Sequence, residues 1–87
     1  MEVDFNALAT WVMQRCDEVS QFTESPGTIH RTFCSDAHRE AISAVQNWMS
    51  NAGLSSHVDA ACNLIGYSAN DDRPLLMIGS HIDSVPN

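Results

Sequence analysis

The sequence has no lysine. Its strong cations are four arginines, Arg15, Arg31, Arg39 and Arg73, set against eleven acidic residues for a formal charge of −7. Phosphate neutralisation needs a cationic patch, so this balance argues against nucleic acid as a partner and against an anionic membrane surface. Cysteine is scarce as well. Cys16, Cys34 and Cys62 are odd in number, far apart and without a C-x-x-C spacing, so neither a disulfide framework nor a structural zinc knuckle follows, and a reducing compartment fits them best. Long apolar runs are missing: nothing approaches the ~18 residues of a membrane span. The start, Met1-Glu2-Val3-Asp4, lacks the basic flank and apolar core of a signal peptide. The expectation is a cytoplasmic chain. With 87 residues it makes one domain at most, and a chain of this size buries only roughly 60 to 65% of its unfolded surface.

What is present begins with helical periodicity. Phe5, Leu8, Ala9, Val12, Met13, Cys16 and Val19 keep the i, i+3, i+4, i+7 rhythm of one face, which predicts a helix from Asp4 to about Phe22, capped by Asp4 or Asn6. Pro26 and Gly27 end it, and residues 23–34 read as a loop. Ser35 then caps a second helix whose face carries Ala41, Ala44, Val45, Trp48, Met49 and Ala52, closed by Gly53. Residues 54–60 alternate in polarity as a half-exposed strand does, and Asn63 to Tyr67 reads as its hairpin partner after a tight turn near Ala61-Cys62. Asn70-Asp71-Asp72 forms a turn leading to Pro74. Leu75-Leu76-Met77-Ile78, with no polar interruption, reads as a strand buried on both faces. The sum is a small α/β layer of two helices and about three strands. It is short of neighbours for that last strand, so exposed edges and apolar surface are expected.

Chemistry concentrates where the apolar run ends, at Gly79-Ser80-His81-Ile82-Asp83-Ser84. In open α/β sheets ligands bind beyond the carboxyl ends of strands, and side chains two apart on an extended segment share a face, so His81 and Asp83 can point together. Imidazole is the commonest side-chain metal ligand, and a carboxylate two residues on can hold its second nitrogen. A His-x-Asp pair is equally the material of a structural hydrogen bond, although the small residues around this one admit close approach of a ligand. A metal site needs at least three protein ligands, and no second clear one stands out. His38 and His57 read as solvent-facing. His30-Arg31 lies in a loop, as solvated polar residues or as a partner for an anionic substrate group. Cys34 and Cys62 have no neighbouring base in sequence, which leaves thiol catalysis unsupported. Trp11 and Trp48 are expected to pack along the helix edges.

The run Leu76 to Asn87 resembles the first metal-ligand motif of the di-metal amidohydrolases related to aminoacylase and carboxypeptidase G. It is most similar to the allantoate amidohydrolase and N-carbamoyl-L-amino-acid hydrolase branch, where G-S-H-[LIM]-D-[ST]-V is typical. Upstream, Thr32-Phe33-Cys34-Ser35, Trp48-Met49 with Ala52-Gly53-Leu54, and Val58-Asp59-Ala60-Ala61-Cys62-Asn63-Leu64-Ile65-Gly66 resemble the branch's T-R-x-x-x-S, W-M-x-x-A-G and D-x-x-G-N-x-x-G segments in order. One departure is Cys62, which stands where the branch usually has glycine.

The resemblance implies that residues 1–87 are the N-terminal portion of a di-metal aminopeptidase-like catalytic domain. A bridging aspartate, the other ligands, a catalytic glutamate and a dimerising domain would lie past Asn87. It implies His81 as a ligand to one of two divalent ions, manganese or zinc, with Asp83 orienting it. The complete enzyme would be a cytoplasmic homodimer of purine catabolism, hydrolysing the ureido C–N bond of a small molecule, allantoate first. Its metals would polarise the carbonyl and acidify a water. One ligand cannot hold two metals, so the 87 residues alone are expected to be inactive and metal-free. The alternatives are an N-carbamoyl-L-amino-acid hydrolase, an aminoacylase or dipeptidase of the same superfamily, or a non-catalytic α/β interaction module whose His-x-Asp is structural.

Overall fold

A computed structural model of the chain describes residues 2–68 and 76–84. Its elements follow the order helix, helix, strand, strand. The first helix, α1, spans Phe5–Val19, and the Asp4 carboxylate caps it by accepting from the Ala7 amide at 3.1 Å. The α-helical ladder stops three residues before Phe22. Ser20 turns its hydroxyl onto the Asp17 carbonyl at 2.7 Å, and the Gln21 and Phe22 amides tighten onto Glu18 and Val19, three residues back. No residue of α1 is buried. Phe5, Leu8, Val12 and Met13 of the apolar face read from the sequence are exposed, as is Trp11.

The second helix, α2, spans Asp36–Asn51. Ser35 caps it, its hydroxyl accepting from the His38 amide at 3.1 Å. At the other end Gly53 takes φ +85°, the Gly53 amide bonds the Ser50 carbonyl, and the Leu54 amide bonds that of Met49. This is the Schellman closure that a left-handed glycine permits. The buried residues, Ala37, His38, Ala41 and Ile42, lie in the N-terminal half of α2, and of the predicted stripe only Ala41 is among them. Ala44, Val45, Trp48 and Met49 are half-buried, and Ala52 is exposed.

The strands β1 (Ser55–Val58) and β2 (Leu64–Tyr67) pair antiparallel, with Ser55 opposite Tyr67 and Val58 opposite Leu64. The turn between them is built by Asp59. Its carboxylate accepts from the Ala61 and Asn63 amides, both at 2.9 Å, and from the Asn63 side-chain amide at 3.0 Å. These donors hold the carboxyl below the usual aspartate range. Cys62 closes the turn at φ +63°, a backbone that favours glycine. The hairpin packs on α2, closely enough that a Cβ on Gly66 would sit 2.7 Å from the Met49 sulfur.

The buried centre is small: Ala37, Ala41 and Ile42, joined by Arg31 and His38. The third strand is a correction. Leu76, Met77 and Ile78 form no strand and are 82%, 82% and 87% exposed, because an extended segment enters a sheet only where another edge receives its amides and carbonyls. The strands expected over 54–60 and 63–67 form over the shorter spans Ser55–Val58 and Leu64–Tyr67, with Asp59 taken into the turn. Leu75, Pro74 and the Asn70-Asp71-Asp72 turn lie outside the described residues, as do residues 85–87. Among the described residues the architecture is a small α/β assembly of two helices and a two-stranded antiparallel sheet.

Candidate metal-ligand segment

Arg31 places the segment that carries His81 and Asp83. It is only 7% exposed, where a solvated loop residue was expected. Its guanidinium donates from Nε to the Ile82 carbonyl at 2.9 Å, and from Nη1 to the carbonyls of Val19 at 2.7 Å and Phe22 at 2.8 Å. Its main chain forms an antiparallel bridge with Ser84: the Ser84 amide donates to the Arg31 carbonyl at 2.8 Å, and the Arg31 amide to the Ser84 hydroxyl at 3.1 Å. One side chain thus ties the end of α1 to residues 82–84. A planar guanidinium, with five donors in a fixed fork, suits several carbonyl acceptors at once. Local sequence gives no sign of this role, because the carbonyls it meets lie 9, 12 and 51 residues away.

The loop preceding Arg31 is knitted around Thr23 and Glu24. The Thr23 hydroxyl donates to the Thr28 carbonyl at 2.8 Å and accepts from the His30 amide at 2.9 Å. Glu24 accepts from both the Thr32 hydroxyl and the Thr32 amide, and these bonds pull its pKa down to about 2. His30 sits with Nδ1 3.2 Å from the Ser25 hydroxyl and Nε2 3.9 Å from the Glu24 carboxylate.

Within the anchored segment, His81 Nδ1 lies 2.9 Å from the Asp83 main-chain carbonyl and 3.5 Å from the Asp83 carboxylate. A carbonyl only accepts, so this contact requires the proton on Nδ1 and leaves the imidazole lone pair on Nε2. That is the form in which histidine binds a divalent ion, its second nitrogen fixed by a carbonyl or carboxylate. The imidazole is 80% exposed. Asp83 is half-buried and lines a cleft of about 120 Å³ together with Ser80, Ile82, His38, Cys62 and Asn63.

His38 is the second correction. It is 4% exposed rather than solvent-facing, and its Nδ1 accepts from the Cys34 amide at 2.9 Å. His57 is exposed on β1, as read from the strand's alternation, and stands edge-on to Tyr67. Trp11 and Trp48 flank the Arg15 guanidinium at 5.1 and 5.6 Å, which joins α1 to α2 through a cation between two aromatic rings.

Among the described residues no group of three or more histidine, cysteine, aspartate or glutamate side chains could hold a metal ion. Three protein ligands are the minimum for a catalytic zinc centre. Among the described residues, His81 could therefore supply one ligand to such a centre, and no complete centre is present. No helix among the described residues is long and apolar enough to cross a membrane.

No family model matches the chain, and no solved structure matches it. Curated proteins do. The chain is 38% identical over 73 residues to allantoate deiminase 1 of Glycine max, covering 82% of the chain and 15% of that protein. It is 38% identical over 77 residues to N-carbamoyl-L-amino acid amidohydrolase of Geobacillus stearothermophilus, covering 85% of the chain and 19% of the relative. It is 44% identical over 61 residues to the Pseudomonas sp. (strain NS671) N-carbamoyl-L-amino-acid amidohydrolase, covering 68% of the chain and 15% of the relative. The chain thus spans less than a fifth of the length of each of these proteins. Over the residues matched, it belongs to the family of allantoate deiminases and N-carbamoyl-L-amino-acid amidohydrolases.

Proposed function

We propose that the 87 residues are the first part of the catalytic domain of an amidohydrolase that cleaves the ureido C–N bond of allantoate, acting as a homodimer. The observation that carries the substrate class is the 38% identity to an allantoate deiminase over 82% of the chain. The role proposed for His81 is supported by its geometry. With Nδ1 held by Asp83, Nε2 presents a lone pair of fixed tautomer to one divalent ion, manganese or zinc. When bound, such ions polarise a carbonyl and acidify a water.

What the chain itself does is positional. Arg31 fixes the main chain at Ile82 and Ser84, on either side of Asp83. The Asp83 carbonyl and carboxylate then fix the ring. In the runner-up reading the substrate is an N-carbamoyl-L-amino acid, which is favoured by the similarity to the Geobacillus and Pseudomonas enzymes.

The test uses the longer protein carrying this segment, assayed for ammonia release from allantoate and from an N-carbamoyl-L-amino acid with added manganese. The expected result is turnover of allantoate and its loss on His81→Ala. Turnover of the N-carbamoyl substrate alone would select the runner-up. Turnover of neither substrate, with the metal in place, would overturn the reading.

A further inference from the structure

Three thiols are spread over 46 residues of sequence, yet two of them meet. Cys34 lies in the turn that leads into α2, and Cys62 closes the hairpin turn between β1 and β2. Their sulfurs are 2.8 Å apart across 28 residues of chain, less than an ångström beyond the ~2.05 Å of a sulfur–sulfur bond. Both residues are half-buried, whereas Cys16, on α1, is exposed.

The backbone brings them together from both sides. Cys34 and Cys62 take φ of +62° and +63°, and they are the only non-glycine residues in the left-handed region among the described residues. Each turn is separately held. The Cys34 amide donates to His38 Nδ1, which also sits in the buried centre, and the turn at Cys62 is clamped by the Asp59 carboxylate. A non-glycine residue in this region costs roughly 1–2 kcal/mol, so two such residues facing each other are over-determined by their surroundings.

We propose that Cys34 and Cys62 are a redox modification site, a dithiol that closes to an intramolecular disulfide stapling the N-terminus of α2 to the β1–β2 hairpin. The oxidant class is a low-molecular-weight disulfide such as oxidised glutathione. One thiol loses its proton and its thiolate attacks a glutathione sulfur, forming a mixed disulfide and expelling one glutathione thiolate. The second cysteine, as thiolate, attacks the protein sulfur of that mixed disulfide and expels the other. Two protein thiols are oxidised, one glutathione disulfide is reduced to two thiols, and the two protons end on glutathione.

The Cys34 thiol is pushed up by its hydrogen bond with Cys62 and by burial, so closure accelerates as pH rises. Cys62 also lines the cleft shared with Asp83 and Ser80, which places the staple beside the candidate ligand segment. The proposal does not depend on the hydrolase reading, since it rests on the two turns alone.

The test is to equilibrate the 87-residue chain with oxidised glutathione, trap free thiols by alkylation, and map the cross-linked peptides by mass spectrometry. The expected result is a fall from three alkylatable thiols to one, a Cys34–Cys62 cross-link, and Cys16 still alkylated. In guanidinium the preference should move toward Cys16–Cys34, because that loop is shorter and its closure costs less entropy. Cys62→Gly and Cys34→Gly, each compatible with its backbone, should abolish the cross-link, and Cys16→Ser should leave it intact. Three alkylatable thiols at full oxidation, a native cross-link through Cys16, or glutathione adducts without closure would each overturn the proposal.

Discussion

Arg31 and Ser84, 53 residues apart in sequence, form an antiparallel bridge whose other contacts reach back to the end of α1. This relationship sets where His81 and Asp83 lie, because the Arg31 side chain also grips the Ile82 carbonyl. Hydrogen bonds from charged donors are worth ~1.5–3 kcal/mol each, and a buried acceptor left without a donor costs its desolvation.

Arg31→Ala should therefore destabilise the chain by about 3 kcal/mol, with Arg31→Lys recovering only part, since an ammonium lacks the planar fork. Urea titration followed by tryptophan fluorescence measures the loss, and amide exchange at Ser84 should become fast in both variants. An unchanged midpoint in Arg31→Ala would show the bridge to be incidental.

The turn at Cys62 offers a cleaner backbone test. At φ +63° alanine is strained and glycine is not, so under reducing conditions Cys62→Gly should be about 1 kcal/mol more stable than Cys62→Ala. Comparing the two variants cancels the loss of the sulfur. Equal stabilities would mean that the turn relaxes out of the left-handed region.

Glu24 gives the pH dependence. Its pKa is lowered to about 2 by the Thr32 hydroxyl and amide, from an ordinary glutamate value of ~4.3. A lowered folded-state pKa contributes stability above the unfolded value, and that contribution is lost as pH falls through the folded value. Stability should decline from about pH 4.3 toward pH 2, and Glu24→Gln should flatten that part of the curve. Because the carboxylate is solvent-accessible, the effect on stability should be modest, and because its main donors on Thr32 are neutral it should change little with added salt. A Glu24→Gln curve parallel to the unmodified one would contradict the assignment.

α1 buries no residue, so its attachment rests on Arg15 between Trp11 and Trp48 together with the Arg31 contact to Val19. A cation over aromatic rings is worth ~0.5–2 kcal/mol. Arg15→Ala should speed amide exchange across residues 5–19 by roughly fivefold, as loss of ~1 kcal/mol implies, and should red-shift tryptophan emission.

Local signals carried much of this fold. The caps at Asp4 and Ser35, the glycine closure at Gly53 and a tight turn near Ala61-Cys62 are each settled within a few residues and were readable, whereas Asp59, read as a strand residue, is the one that builds that turn. What the sequence concealed was tertiary. Arg31 and His38 are polar types that usually face solvent, and only contacts from distant elements account for their burial. The apolar run at 76–78 has the composition of a buried strand, but pairing depends on a neighbouring edge, which composition cannot report. Of the candidate ligand segment, the closeness of His81 to Asp83 was foreseeable from their spacing, whereas the main-chain carbonyl as the nearer contact was not.

In the role proposed for His81, Nε2 binds a catalytic divalent ion while Asp83 holds Nδ1. The most direct measurement is metal content and ammonia release from allantoate by the longer protein carrying this segment, for the unmodified chain, His81→Ala and Asp83→Ala. Loss of bound metal and of turnover is expected in His81→Ala, and at most a ~10-fold weaker metal affinity in Asp83→Ala, which removes the carboxylate 3.5 Å from Nδ1 but keeps the main-chain carbonyl at 2.9 Å. Full metal occupancy with undiminished turnover in His81→Ala would contradict that role.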